Sequence, residues 1–145
     1  MAVLARRDDG LEIDDDPLRV DVDRTFHLVV EQGYWARTRS RGAVEASLRA
    51  SWPFAVYDGH LQVGFARVVT DRLTFAWVCD VVVDEPYRGR GIGRWLMATV
   101  RDAVAATGVR RQILATADAH EVYRAVGWSE LAHPERWMEI DQRDL

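Results

Sequence analysis

The chain has 145 residues, of which 48% are hydrophobic and 29% are charged, and its net charge is −4. This size and balance predict a single globular domain. The acidic balance argues against binding to nucleic acid or to an anionic membrane, and no apolar run approaches the length of a membrane span. A single cysteine excludes an internal disulfide and favours the reducing cytoplasm, while four scattered histidines make a metal site unexpected.

The amino-terminal third shows weak local patterns. Residues 1–17 are rich in charge and have no stable period, which predicts a partly ordered tail, with room for a short strand near residues 11–13, before a single domain over residues 18–145. Residues 18–22 alternate apolar and polar side chains, as a half-buried first strand does. Asp23 is then placed to cap a helix that ends at Gly33.

The loop of residues 34–41 is rich in aromatic and arginine side chains. Two interpretations stay open: a lid that packs its own aromatics, or the rim of a substrate site. A second helix over residues 42–50 and a β-hairpin follow, and Asp58-Gly59 in the hairpin favours a type I′ turn. The hairpin leads into a fourth strand over residues 74–83.

A glycine-rich stretch follows this fourth strand directly. The β-branched run 81–83 is typical of a buried strand, Pro86 ends it, and a helix with one apolar stripe follows the glycines. Free N–H groups at a helix start, with no Cβ atoms to shield them, form an anion site, and arginine suits phosphate well. We therefore expect a ligand with a pyrophosphate or several phosphates, against the simpler alternative of a turn with solvated arginines. The expected contacts are Arg88, Gly89, Arg90, Gly91, Ile92 and Gly93.

Three families use such a loop. A P-loop requires lysine, and the chain contains none. The dinucleotide fingerprint requires a third glycine one residue later and an acidic residue ending the next strand, which residues 111–115 lack. The third pattern is Arg/Gln-x-x-Gly-x-Gly/Ala after an apolar strand. Residues 88–93 resemble it at every position, and it is the signature of the GNAT superfamily of acyl-CoA-dependent N-acyltransferases.

A second motif strengthens this resemblance. Many GNAT enzymes follow the fifth strand with Asn-x-x-x-x-Tyr-x-x-x-Gly-Phe, and Asp118, Tyr123, Gly127 and Trp128 stand at those positions. The resemblance implies that Asp118 and Tyr123 contact the cofactor. Aspartate at position 118 keeps the capping role but lacks the donor of an asparagine amide. The chain looks most similar to small bacterial single-domain members of the family.

The resemblance implies an α/β (α+β) fold of the GNAT type. Its central sheet would be mixed and mostly antiparallel, with six to seven strands, about four flanking helices, and a splay between the fourth and fifth strands. Unpaired backbone groups of Val81, Val82 and Val83 would then bind the pantetheine arm of acetyl-CoA. A closing hairpin over residues 128–131 and 136–140 completes the predicted sheet, and it is consistent with a homodimer.

The resemblance also implies that a primary amine attacks acetyl-CoA directly in a ternary complex. Tyr123 matches the family's general acid, against the simpler role of core packing. Asp80 is the first candidate for the general base, because burial in an apolar strand should raise its pKa, although it could instead cap a turn or pair with an arginine. His120 is the second candidate, and a chain of waters is the third.

The acceptor is less defined than the donor. Tyr34, Trp35 and Trp77 are the predicted substrate contacts, and together with Trp52 they would form an aromatic-walled pocket for a small-molecule amine. A flat, open groove would instead favour a protein N-terminus or a lysine. A CoA-binding sensor that transfers no acetyl group is the non-enzyme alternative, and a dinucleotide binder is a further one. Cys79 lies in an apolar strand and is predicted to be an inert, buried thiol.

Overall fold

One six-stranded sheet forms the centre of the computed structural model, which describes residues 3–143. The strands lie side by side in chain order. Neighbours from the first to the fifth strand pair antiparallel, and the fifth pairs parallel with the sixth. This confirms the predicted mixed, mostly antiparallel sheet. The strands are β1 (Val3–Arg6), β2 (Glu12–Asp14), β3 (Trp52–Asp58), β4 (Leu61–Thr70), β5 (Ala76–Val83) and β6 (Gln112–Ile113).

Helices cover both faces of the sheet. None of them, within the described range, combines the length and apolar composition that crossing a membrane requires. Short 3-10 turns lie at Tyr34–Ala36, Glu85–Tyr87 and Pro134–Arg136, and a π-helical turn at His27–Glu31 continues the first helix. The α-helices are α1 (Val22–Phe26), α2 (Arg41–Arg49), α3 (Ile92–Ala106) and α4 (His120–Arg124).

Two apolar cores lie on opposite faces of the sheet, because successive strand side chains point to opposite sides. The larger core packs the predicted apolar stripe of α3 against β3, β4 and β5. That stripe is fully buried, since Ile92, Leu96, Val100 and Val104 are each no more than 2% exposed. The smaller core packs the π-helical turn and α2 against the other face. Strand β5 therefore has a helical layer on each of its faces.

The amino-terminal predictions were partly wrong, although the short strand near residues 11–13 and the helix before Gly33 do form. Residues expected to form a partly ordered tail contain β1 and β2, and Ile13 is fully buried opposite Val56 of β3. Residues 18–22, expected to be a strand, form a turn into α1 instead, and Asp21, not Asp23, caps that helix by accepting from the Arg24 N–H at 3.0 Å. Residues 1, 2, 144 and 145 of the predicted tail and domain lie outside the described range.

The β3–β4 hairpin forms as predicted, with two corrections of detail. Its connecting residues are Gly59 and His60, and only Gly59 has a positive φ, of 61°. A type I′ turn needs a positive φ at both positions, so that prediction was wrong. Gly64 marks a close approach, because a Cβ there would lie 2.9 Å from the Val56 side chain.

The predicted closing hairpin does not form. Residues 129–143 contain one 3-10 turn and no strand, so β6 is the last strand of the described sheet. Met138 and Ile140 of this segment are 96% and 92% exposed. An alternating pattern makes a strand only when a neighbouring strand accepts it, and in the single chain this segment has none.

Candidate active site

The edge of β5 that faces β6 is paired only at its beginning. Within the described residues, β6 contacts β5 in register at Ala76–Gln112 and Trp77–Ile113 and then diverges. This confirms the splay predicted between the fourth and fifth strands, which are β5 and β6 of the structure. Backbone groups along an antiparallel strand point alternately to its two neighbours. Because the Asp84 N–H bonds to β4 at Val63 O, the groups of Val81 and Val83 point to the open edge.

Val81, Val82 and Val83 therefore differ in the backbone groups that they leave free for a ligand. Val82 is 6% exposed and packs its side chain in the smaller core. Its backbone pairs with β4 opposite Phe65. Its geometry does not support the predicted cofactor contact. Val83 O already accepts a hydrogen bond from Arg88 Nε at 3.0 Å. The free backbone groups of the open edge are thus centred on Val81.

The glycine-rich loop leads from this edge into α3. Gly89 and Gly91 have φ of 80° and 74°, and Gly91 is the N-cap of the helix, which has no side-chain cap. The N–H groups of residues 89–94 find no acceptor among the atoms of residues 3–143. A run of free donors at the positive end of a 15-residue helix is an anion site made of main chain.

The arginines of the loop differ in how far other residues of the protein already bind their side chains. Arg88 is tied back to the protein, to Val83 O and to Gln32 Oε1 at 3.4 Å, so its predicted phosphate contact is not supported by this geometry. Arg90 lies over the Tyr87 ring at 5.0 Å. Arg90 and Arg94 are exposed beside the free N–H groups. These two side chains can add charge-assisted contacts to an anion.

Asp80 lies in a bulge of β5, at the point where the edge opens. Asp80 and Val81 together face a single residue of β4. Asp80 has a φ of 54°, a backbone conformation that residues other than glycine rarely adopt. Its carboxylate is buried and accepts three hydrogen bonds. The donors are Arg39 Nη1 at 2.6 Å, Arg67 Nε at 2.8 Å and Trp35 Nε1 at 3.1 Å.

This network makes Asp80 a poor general base. Burial alone raises the pKa of Asp80, but hydrogen bonds from the guanidinium groups of Arg39 and Arg67 outweigh it and hold the pKa below its usual value. The expected raised pKa was therefore wrong. The alternative that Asp80 pairs with an arginine is the one the structure shows. Sequence reasoning missed Arg39 and Arg67, because nothing local marks either as a partner.

A second buried carboxylate precedes the glycine loop. Asp84 accepts from Gln32 Nε2 and from Arg24 Nη2, each at 2.8 Å. Burial raises the pKa of Asp84, while Gln32 and Arg24 lower it to a net value below the usual range. These contacts fix the α1 segment to the end of β5. Asp84 was not singled out from the sequence, which gives no signal for partners 52 and 60 residues away.

Tyr123 lies on α4 beside a cavity of about 430 Å³ between β6, α4 and residues 128–134. Its ring packs edge-on against Trp128 at 6.2 Å, and its hydroxyl has no hydrogen-bond partner among the described residues. Burial raises the pKa of Tyr123, and the nearby Tyr34 and Asp118 raise it further. The phenol is therefore protonated at neutral pH, as a general acid must be.

The start of α4 differs from the prediction. Ala119 is the N-cap, and no side chain caps the helix. Asp118 is exposed, and the Ala119 N–H donates instead to Thr116 Oγ1 at 3.1 Å. The predicted capping role of Asp118 was therefore wrong. His120 is exposed and lines the same cavity as Tyr123.

The predicted substrate residues are only partly brought together. Tyr34 and Trp35 pack edge to face at 5.3 Å, and Trp35 reaches Asp80. Trp77 lies on β5 before the bulge, and no aromatic contact within residues 3–143 joins it to them. Trp52 is a core residue, 6% exposed, whose indole donates to Asp15 at 3.0 Å. The aromatic wall is thus Tyr34 and Trp35.

Cys79 is half-buried, which is less than the sequence predicted. Burial raises the pKa of Cys79 to about 11, so its thiol is protonated at neutral pH and is a weak nucleophile. Among the described residues no three His, Cys, Asp or Glu side chains are grouped to hold a metal ion.

Comparison with known proteins decides the family. Residues 17–128 match the profile described as "Acetyltransferase (GNAT) family". The chain belongs to the GNAT family of acetyltransferases. A crystal structure of a protein from Xanthomonas campestris pv. campestris assigned to this family is 30% identical, covers 94% of this chain and 95% of its own, and superposes with a TM-score of 0.85.

Two further relatives extend this GNAT comparison. A Gibberella zeae protein assigned as an acetyltransferase is 27% identical over 128 residues, which cover 74% of this chain and 72% of that protein. The ribosomal-protein-S18-alanine N-acetyltransferase from Escherichia coli shares the fold, with 22% identity, a TM-score of 0.68, and coverage of 84% and 79% of the two chains. The fold and the acyltransferase activity follow from the family, whereas the acceptor does not.

We predict that Asp80→Asn lowers the free energy of unfolding at pH 7 by about 3 kcal/mol, because two partly buried guanidinium groups lose their counter-charge. Folding lowers the pKa of Asp80. Its contribution is therefore present above the unfolded pKa of about 3.9 and is lost as pH falls below that value. Urea unfolding of both proteins from pH 7 to pH 3 should show the difference shrinking.

Asp23→Asn is the matched control, since the Asp23 side chain is 78% exposed and pairs with Arg41 at the surface. It should change stability very little. If Asp80→Asn were as stable as the wild type at pH 7, the network would not hold the bulge.

Proposed function

We propose that this GNAT protein transfers the acetyl group of acetyl-CoA to a primary amine of a small molecule, by direct attack in a ternary complex. The observation that supports the donor is that two sets of free main-chain groups lie close together in the chain: those of the open edge at Val81, and the N–H groups of residues 89–94 beyond the turn at Glu85–Tyr87. An elongated ligand with amides followed by a diphosphate matches these two sets of groups. When bound, acetyl-CoA supplies an activated acetyl thioester. The single cysteine supports a cytoplasmic location for this chemistry.

The main chain holds the donor in this proposal. Val81 offers its N–H and C=O to the pantetheine amides as a neighbouring strand would. The N–H groups of residues 89–94 hold the diphosphate at the positive end of α3, and Arg90 and Arg94 add charge. A free N–H at the bulge would stabilise the negative charge that develops on the thioester oxygen.

Tyr123 donates a proton to the leaving thiolate. Its raised pKa keeps the phenol protonated at neutral pH, and its hydroxyl is not engaged by another described residue. The amine must lose a proton, and Asp80 is unsuited to accept it. His120 lies three residues before Tyr123 on α4 and lines the same cavity, so it or a bound water takes that role.

The aromatic pair Tyr34 and Trp35 supports a small-molecule acceptor. Tyr34 is 47% exposed, and it lies near enough to Tyr123 to affect its pKa. An aromatic wall beside the acid suits a compact amine. A protein acceptor is the second candidate, since the Escherichia coli enzyme of the same fold acts on a ribosomal-protein alanine.

We predict that Gly91→Ala weakens acetyl-CoA binding about tenfold or more. A side chain at this φ of 74° strains the backbone and turns the N–H groups away from the ligand. Titration calorimetry measures the affinity. Gly108→Ala is the control, because Gly108 has a φ of 97°, has equally open space around it, and follows the far end of α3. Equal affinity for the Gly91→Ala and Gly108→Ala proteins would refute the loop assignment.

We also predict that Tyr123→Phe lowers kcat about 100-fold, because the leaving thiolate loses its proton donor, while acetyl-CoA affinity stays unchanged. Steady-state kinetics at saturating substrates separate these effects. Tyr57→Phe is the control, since the Tyr57 hydroxyl is buried without a partner and its removal should leave kcat unaltered. If both variants turned over at the wild-type rate, Tyr123 would not be the acid.

An acceptor panel tests the reaction class. Purified protein is incubated with acetyl-CoA and either small primary amines or peptides with free N-termini or lysines, and released thiol is measured. Faster release with a small amine supports the proposal. Preference for a peptide supports the protein-acceptor alternative, and tight acetyl-CoA binding without release in either set indicates a CoA sensor.

A further inference from the structure

The carboxylate of Asp80 binds two arginines, one more than its charge requires. Arg39 Nη1 and Arg67 Nε donate to the same oxygen, Oδ2, so the two guanidinium groups are close neighbours. Neither of them makes an ion pair with a different acid among residues 3–143. Arg67 also donates to Ser51 Oγ at 2.9 Å, but that hydroxyl is neutral. We call Arg39 and Arg67 the arginine pair, and with Asp80 it carries one net positive charge.

This extra charge is only partly exposed to solvent. The side chain of Arg39 is 31% exposed and that of Arg67 is 15% exposed. Removing a charged group from water is costly unless an opposite charge compensates it. Of the several N–H groups on its guanidinium, Arg39 uses one within the described residues, so others are free to donate. The arginine pair is therefore equipped to bind one further carboxylate.

The arginine pair lies at the proposed acceptor site. Trp35 belongs to the proposed acceptor wall, and its indole donates to the other oxygen of Asp80 at 3.1 Å. Asp80 directly precedes Val81 in the bulge, where the proposed function places the thioester of acetyl-CoA. A carboxylate bound by the arginine pair would therefore lie close to the attacking amine of the same acceptor. In an α-amino acid the amine and the carboxylate are attached to one carbon atom, which suits this short separation.

An open apolar surface adjoins the arginine pair. Val69 of β4 and Trp77 of β5 lie opposite each other in register, and they are 42% and 38% exposed. Arg67 and Val69 are two residues apart on one strand, so their side chains lie on the same face of the sheet. This surface can receive an apolar side chain of an acceptor whose carboxylate is bound by the arginine pair.

We propose that the acceptor is a free α-amino acid with an apolar side chain. Its carboxylate binds Arg39 and Arg67, its side chain lies on Val69 and Trp77, and its amine faces the thioester. This inference rests on the proposed function, because it specifies the amine that receives the acetyl group.

The transfer balances with the groups already described. The amine nitrogen bonds to the acetyl carbon as the carbon–sulfur bond breaks, which yields an N-acetyl amino acid and free coenzyme A. One proton of the ammonium group leaves to water or His120, and a second replaces the proton that Tyr123 gives to the sulfur.

Other acceptors match the arginine pair less well. A phosphate group carries about two negative charges at pH 7, more than the arginine pair leaves uncompensated. The N-terminus of a peptide has an amide in place of the free carboxylate, and a simple amine has neither group. The amide and the simple amine are therefore the informative comparison compounds.

Titration calorimetry on the protein with coenzyme A measures binding without transfer. The compounds are phenylalanine and leucine, their amides phenylalaninamide and leucinamide, and the amines that lack a carboxyl group, phenethylamine and 3-methylbutylamine. At least one acid should bind about tenfold or more tightly than its amide and its amine, because only the acid forms the charged hydrogen bonds. Equal affinity within both sets, or no binding of either acid, overturns the inference.

Turnover with acetyl-CoA separates this inference from the proposed function. Tighter binding of an acid without its acetylation supports the amino-acid site and refutes the proposed transfer. Acetylation of the amides and amines as fast as the acids, at equal KM, supports the transfer and overturns the amino-acid site.

The variant Arg39→Gln assigns the preference to the arginine pair. Arg67 remains to pair with Asp80, so thermal unfolding should stay cooperative. Affinity for the preferred acid should fall about tenfold, to that of its amide, while affinity for the amide is unchanged. Arg39→Lys should recover part of the preference, since it keeps the charge. Arg49→Gln is the matched control, because Arg49 is 70% exposed and pairs with Glu45 at the surface, and it should bind all compounds as the wild type does.

A purely structural role for Arg39 gives a different result. Arg39→Gln would then weaken the acid, the amide and the amine equally, and this outcome overturns the inference. If Arg39→Gln does not fold, the comparison of acids with amides on the wild type still decides.

Discussion

The structure depends on a strand pairing that stops early. β6 accompanies β5 for two residues and then diverges, so the second half of β5 keeps polar backbone groups that no neighbouring strand satisfies. Such groups are costly to bury unless a hydrogen-bonding partner arrives. The glycine loop follows β5 after the 3-10 turn at Glu85–Tyr87, and its N–H groups are also free. The protein thus presents two sets of free main-chain groups, one at Val81 and one in the loop, and the proposed function assigns both to one elongated ligand.

The bulge that opens this edge is held by buried charge. Asp80 combines an unfavourable backbone angle with three hydrogen bonds, two of them from arginines. Such networks contribute more to a defined geometry than to net stability. Arg39 and Trp35 come from the loop before α2, whereas Arg67 comes from β4. The carboxylate therefore joins Trp35, part of the proposed acceptor wall, to β5, the strand proposed to bind the donor.

Sequence patterns predicted the parts of the fold that are local. The strand, glycine loop and α3 stripe follow from contiguous residues, and the β3–β4 hairpin follows from its turn. The role of Asp80 could not be predicted, because its partners are 13 and 41 residues away and only the folded sheet brings them together. Residues 18–22 alternate like a strand, yet the capping side chain of Asp21 favours a helix at their end. Residues 136–140 also show a strand pattern, but no strand of the described sheet pairs with them.

Arg88 shows how a conspicuous residue can serve a different purpose from the one its motif implies. By occupying Val83 O, its guanidinium removes the last acceptor from the exposed side of β5. The carbonyl oxygens that this edge offers to an extended molecule therefore end at Val81. In the proposed function, Arg88 would thereby set the distance between the part of the ligand that pairs with β5 and the part that binds at the start of α3.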